Sequence, residues 1–261
     1  MTALRSVLPS AWAYRDLVRN LVVKDVKVRY MGATLGFAWS LVNPLFMILV
    51  YLFVFTVIFK PPLPNFPLYL VSGMIHWVFF SQTLAQSADV LVTNANLLKK
   101  VRFPRALVTV ASVLTNLLLW LAALAVLLVV MPLLGGRYSV ALLVYPLHLA
   151  LMIFFSWGLC LLVSSFYVEF RDLKHLIEVA LQVLFWATPI VYSFDMLPPV
   201  IQDWLRWSPL TIFVTVFHEI FYDAVVPSWR LTVGLAGWSL LAVLVGILTF
   251  RSRVGRAVEE L

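Results

Sequence analysis

Cysteine, charge and acidic residues are what this sequence has least of. One cysteine, Cys160, stands in 261 residues, so there is no disulfide framework to staple a small fold together. Charged residues make up 12% of the chain, against about 25% in an ordinary soluble domain. With 63% hydrophobic residues, that shortage excludes a chain that wraps its core in a solvated shell. Catalytic patterns are missing as well. His76, His148, His175 and His218 fall on different segments, without the HxxxH spacing of a metal site. His148, close to Pro146, reads as a packed helix residue rather than a ligand. Ser, Asp and His form no recognisable triad. No G-x-x-x-x-G-K-S/T occurs, so the chain has no phosphate cradle of its own, and no enzyme activity, metal or cofactor is expected on it. Acids are outnumbered, 12 Asp and Glu against 19 Lys and Arg, for a net charge of +7. In a membrane chain that excess is topological rather than a sign of nucleic acid, because Lys and Arg collect on the cytoplasmic side.

What is present is a series of long apolar runs. A helix of roughly 20 apolar residues crosses about 30 Å of hydrocarbon. Six runs are read as spans, at 35–59, 68–92, 106–131, 140–166, 176–192 and 231–250. The fold class is therefore all-α integral membrane, six transmembrane helices in a multi-pass protein. Asn43-Pro44 interrupts the first span and should kink it. The second is unusually polar, with His76, Gln82, Gln86 and Asp89. The fifth is short and ends in "ATPIVY". The stretch "SPLTIFVTVFHEIFYDAVV" at 208–226 is too short for a seventh span. Two short external re-entrant helices, near 198–207 and 210–222, are expected before the last span. "GATLG" at 32–36 fits either small-xxx-small helix packing or a simple turn into the first span.

The N-terminal part carries Leu17, Val18, Leu21 and Val22 at the spacing of one helix face. Arg15, Arg19, Lys24 and Lys27 are read as its interface cations. This is the pattern of an amphipathic helix lying in the membrane interface; the alternative is an ordinary solvated helix. No uninterrupted apolar core precedes Leu35, so the first span is expected to direct the chain to the membrane. The organisation that follows is a cytoplasmic N-terminal segment at 1–34, a six-span domain at 35–250 and a basic cytoplasmic tail at 251–261. With the N-terminus inside, fifteen of the 19 Lys and Arg fall on the inner side and only Lys60, Arg137, Arg206 and Arg230 on the outer. That asymmetry puts both termini in the cytoplasm and the protein in the cytoplasmic (inner) membrane.

Two inner loops stand out. "NANLLKKVRFPR" at 94–105 reads as a short helix with Asn94 or Asn96 as N-cap and Pro104 opening the next span. It offers Leu97, Leu98, Val101 and Phe103 as apolar knobs among Lys99, Lys100 and Arg102. A loop that only rests on anionic headgroups has no use for exposed Leu and Phe, which favours a protein-docking element. The second loop repeats the theme, with Phe170 beside Glu169, Arg171 and Asp172.

Here the sequence resembles a family. "RYMGATLGFAWSLVNPLF" at 29–46, "NLLKKVRFP" at 96–104, "FRDLKHL" at 170–176, "TPIVYSFDMLP" at 188–198 and "SPLT" at 208–211 resemble, in this order, the membrane (permease) subunits of ATP-binding-cassette exporters of cell-surface polysaccharide. Those include the exporters of O-antigen, capsule and teichoic acid. The resemblance implies a homodimer that moves a lipid-linked polysaccharide across the bilayer. It implies two copies of a separate ATPase, which would hold the ATP and Mg. It also implies that 94–104 and 168–174 are the coupling helices seated in that ATPase, that the N-terminal helix touches it, and that the two external helices gate the channel exit.

Aromatic residues give the one hint of a substrate. Tyr51, Phe55 and Phe59 recur on one face of the first span, and Phe185, Trp186 and Tyr192 cluster in the fifth. Sugar rings stack on such faces, so these six are the candidate channel residues; interface anchoring and helix packing are the competing uses. Two other readings of the chain stay open. One is a permease for a small lipophilic drug or a lipid. The other is a membrane-embedded transferase acting on lipid-linked sugars, kept open by Asp89 and Glu178 at similar depth.

Overall fold

The computed structural model describes residues 13–32, 34, 36–59 and 63–260. Among these, every regular element is helical. In chain order they are α1 (Arg15–Tyr30), α2 (Trp39–Phe53), α3 (Phe66–Ser87), α4 (Val90–Thr93), α5 (Ala95–Lys100), α6 (Ala106–Val130), α7 (Ala141–Tyr167), α8 (Leu173–Ala187), α9 (Pro199–Leu205), α10 (Pro209–Phe221) and α11 (Trp229–Glu260). Four helical stretches are long and apolar enough to cross a membrane: Phe66–Ser87, Ala106–Leu134, Ala141–Tyr167 and Trp229–Val254. Leu45–Ile58 and Pro209–Phe221 are apolar but shorter, and α8 has 15 residues.

Several local expectations change in the structure. α2 runs helically through Asn43-Pro44. The irregular turn comes later, where the helix widens to a π-helix over Val54–Phe59. The second apolar run is broken at Ala88–Asp89, so α3 stops at Ser87 and α4 follows as a separate turn. Residues 251–260 are helical: α11 continues for 32 residues, about 48 Å at the standard helical rise. Gly32 and Gly36 have φ of 79° and 49° with open space around them; Gly32 lies in a turn. Ala33 and Leu35 lie outside the described residues.

α3 is the centre of the bundle, with buried residues from Phe66 to Ser87. Its central histidine is held inside: His76 Nε2 lies 2.9 Å from Tyr145 Oη, and its Nδ1 lies 2.6 Å from the Ser72 carbonyl. α10 runs antiparallel along α3. Tyr222, just after it, donates to the Pro64 carbonyl at 2.6 Å. His218 stacks on Tyr69 and Phe217 on His76, each at 3.7 Å between centroids. Phe213 meets Phe155, which stacks on Phe80. Ten of the 13 residues of α10 are buried, so it is a core helix. α9 has no buried residue.

α7 and α11 make the closest helix pair. A Cβ added at Gly158 would strike the backbone of Ala242 and Val243, and one at Gly246 would strike the backbone of Gly158. Lipid gives helices no hydrophobic reason to associate, so close backbone approach and interhelical hydrogen bonds carry the pairing. Ser239 donates to the Leu151 carbonyl at 2.8 Å, and His148 Nε2 lies 3.0 Å from Thr232 Oγ1. His148 is thus the packed helix residue its setting suggested.

A second core sits at the basic end of the bundle. It joins Val18 and Leu21 of α1 to Leu91, Leu98, Leu107, Val108, Leu161 and Val254. Leu17 and Val22 pack against it. Val18 and Leu21 of the apolar stripe of α1 are thus buried against protein, and Leu17 and Val22 are partly so.

Candidate functional site

The basic end is tied together by side chains from distant parts of the chain. Arg29, at the end of α1, donates to Asn116 of α6 at 3.2 Å and also to Gln86 of α3. Lys24 donates to Asn94 Oδ1 at 2.6 Å. Asn94 stands at the N-cap position of α5 but does not cap it; its amide donates to the Val90 carbonyl at 2.9 Å. Lys174 at the start of α8 pairs with Asp89 at 2.6 Å. A cavity of about 460 Å³ opens between these elements, lined by Lys24, Arg29, Gln86, Asp89, Asn94 and Lys174 among others. On the far side, Arg253 of α11 pairs with Glu169 at 2.5 Å and lies over the Phe166 ring. Arg105 donates to the Val254 carbonyl at 2.6 Å.

The two candidate docking loops differ here. In the first, Leu98 is buried and Leu97 and Phe103 pack against the second core. These three are not free knobs, as the sequence suggested. Their helix lies flat on the bundle and turns its apolar side inward. Val101 is 47% exposed, and Lys99, Lys100 and Arg102 are exposed around it. Pro104 is half-buried and precedes α6 by two residues instead of opening it. In the second loop Phe170 is 60% exposed, with Arg171 and Asp172 exposed beside it. Of the α1 cations, Arg15, Arg19 and Lys27 are exposed and Lys24 is tied to Asn94.

The candidate channel aromatics partly converge. Tyr51 lies 5.5 Å from Phe185 and 6.5 Å from Trp186, and stacks on Phe55 at 6.3 Å. Phe185 is buried against Trp77, so it packs helices together. Trp186 is 51% exposed. Tyr192 is half-buried and donates to the Trp186 carbonyl at 2.9 Å. The side chain of Phe59 lies outside the described part. Asp89 and Glu178, which kept a transferase reading open, are engaged with Lys174 and His175 respectively.

At the opposite end, sequence reasoning missed a polar cavity. It measures about 300 Å³ and lies between the outer part of α3, the segment after α8, α10 and α11. Asp195, Arg206, Thr211, His218, Glu219 and Asp223 are among its lining residues. Burial raises the Asp223 carboxyl above its usual value. The signal in the sequence was the trio His218, Glu219 and Asp223 inside an otherwise apolar stretch.

Comparison with known proteins finds similarity to polysaccharide export permeases. An O-antigen export system permease protein RfbA of Myxococcus xanthus is 31% identical over 256 residues, covering 96% of this chain and 97% of that one. An RfbA permease of Klebsiella pneumoniae is 29% identical, covering 80% and 82%. The polysialic acid transport protein KpsM of Escherichia coli is 23% identical, covering 90% and 93%. Residues 16–222, from α1 to the end of α10, match the ABC-2 type transporter family, and the chain is a member of that membrane family.

Proposed function

We propose that the chain is the permease subunit of an ATP-driven exporter that carries a lipid-linked cell-surface polysaccharide across the cytoplasmic membrane. The observation that carries this is the full-length similarity to a permease named for O-antigen export. Two copies of the chain and two copies of a separate ATPase make the working complex. Each chain crosses six times: the four long apolar stretches, α2 with its π-helical extension, and α8 with the residues up to Tyr192. α9 and α10 form a re-entrant hairpin, because 13 residues of α10 reach about 20 Å, short of a bilayer core. Both termini lie on the basic, cytoplasmic side.

The ATPase seats against the exposed Phe170, Arg171 and Asp172 and against Val101, Lys99, Lys100 and Arg102. Movement of the Phe170 loop reaches α11 through Glu169 and Arg253, and movement of α8 reaches α3 through Lys174 and Asp89. Tyr51, Phe55 and Trp186 offer ring faces to the passing sugars. Restoration of surface glycan by the wild-type chain, in a strain lacking it, is the test. No restoration in the presence of the native ATPase would sink the proposal.

A further inference from the structure

Five buried side-chain polar atoms lack a hydrogen-bond partner among the described residues, and three of them belong to the wall of the outer cavity: Thr211 Oγ1, His218 Nε2 and Glu219 Oε2. Thr211 and His218 are 2% and 5% exposed. His218 Nε2 faces the backbone of α3 at Gly73; an unpaired buried polar group costs roughly 1–3 kcal/mol, so Thr211 Oγ1 and Glu219 Oε2 on one cavity call for a partner that the described residues do not supply. The chemistry of the wall says what kind. Asp195, Glu219 and Asp223 accept hydrogen bonds, Arg206 donates, and Thr211 and His218 can do either. Three carboxylates against one guanidinium disfavour a phosphate. No group of three metal-ligating residues converges among the described residues, which disfavours a metal ion. A neutral ring carrying several hydroxyls satisfies both donors and acceptors at once.

The cavity is also held open. The Tyr69 hydroxyl lies 3.2 and 2.9 Å from the carbonyls of Pro189 and Tyr192. That contact pins the segment after α8 to α3. The Tyr222 hydroxyl fixes the far end of α10 on Pro64. Its volume, about 300 Å³, is at the lower end of the range for small-molecule sites, about 300–1,000 Å³. We infer that this cavity is a saccharide-binding subsite, which takes one neutral sugar unit of the exported polymer between α10 and the outer end of α3. The inference rests on the export reading above and deepens it: the re-entrant hairpin holds the polymer as well as closing over it.

The test uses the complete exporter in cells lacking this chain. Surface glycan and the amount of assembled complex are measured together for wild type, Thr211→Val, Glu219→Gln and Ser193→Trp. The first two remove one hydrogen-bonding function each with little change of shape. The third fills the cavity from its rim, where Ser193 stands half-buried. Thr211→Val and Glu219→Gln are each expected to lower surface glycan about three- to tenfold, the worth of one hydrogen bond, and Ser193→Trp to lower it further, all with normal amounts of complex. Normal glycan in all three variants at normal complex would mean that the cavity holds only water, and would overturn the inference while leaving the export reading intact. A fall in glycan matched by an equal fall in complex in all three would also overturn it, since the residues would then serve stability alone. Failure of the wild-type chain itself to restore glycan would instead strike the export reading.

Discussion

The two loops at the basic end follow the same pattern in sequence, an aromatic residue set among charges, yet they end in different places. The 95–104 loop folds its Leu98 into the second core and lays Leu97 and Phe103 against it. The 168–172 loop leaves Phe170 60% exposed. What separates them is the surface beneath. α5 joins the second core through Leu98, together with residues of α1, α6 and α11. The second loop joins α7 to α8, with Glu169 paired to Arg253 and Val168 packed against the same core. A hydrophobic knob is therefore an interface signal only where the parent fold leaves it uncovered.

The comparison can be broken most sharply by topology. Cysteines placed at Lys99 and Phe170 should be shielded from an impermeant external reagent in intact cells, and one at Ser139 should be open to it. Cys160 is fully buried and should stay silent. Labelling at Lys99 or Phe170 would place the loops on the wrong side, an all-or-none result. Next in size is Leu98→Ala, expected to cost about 2–5 kcal/mol of stability as a buried large-to-small change. Thermal denaturation of the purified protein would detect it; an unchanged midpoint would mean that the loop is not packed as described. Phe170→Ala should behave oppositely. Its stability should be unchanged, while ATPase docking weakens by about 2 kcal/mol, the scale of an aromatic interface anchor. Co-purification across a titration of ATPase measures this. A matching loss of stability would make Phe170 a packing residue like Leu98. The smallest effect is expected at the brace: a double-mutant cycle of Glu169→Gln and Arg253→Gln should return a coupling of about 0.2–1 kcal/mol, because both groups are partly exposed. A coupling of several kcal/mol would show that this pair carries far more load than a surface contact does.

Much of the architecture was readable from local pattern. The stripe of Leu17, Val18, Leu21 and Val22 marked α1, and the short reach of 208–226 matched an apolar helix shorter than the four long stretches. Phe170 was visible as a knob because its neighbours are charged. Phe103 and Phe170 both stand beside charged residues, yet Phe103 is half-buried and Phe170 exposed. The outer cavity went unseen, although His218, Glu219 and Asp223 were conspicuous in an apolar stretch, because Asp195 and Arg206 join them only through the return of the chain between α8 and α10.

The sequence by itself determined that the chain is helical, apolar over most of its length, basic in its short charged segments and without a G-x-x-x-x-G-K-S/T motif. These follow from composition and from periods of a few residues, which depend on the chain alone. Only the tertiary structure decided which apolar residues are covered and which polar groups lack partners. Burial is a property of facing surfaces. Gly158 needs no side chain because Ala242 and Val243 press against it, and Lys174 is held by Asp89 across 85 residues. Such contacts join positions whose local patterns are independent, so no window of sequence holds them.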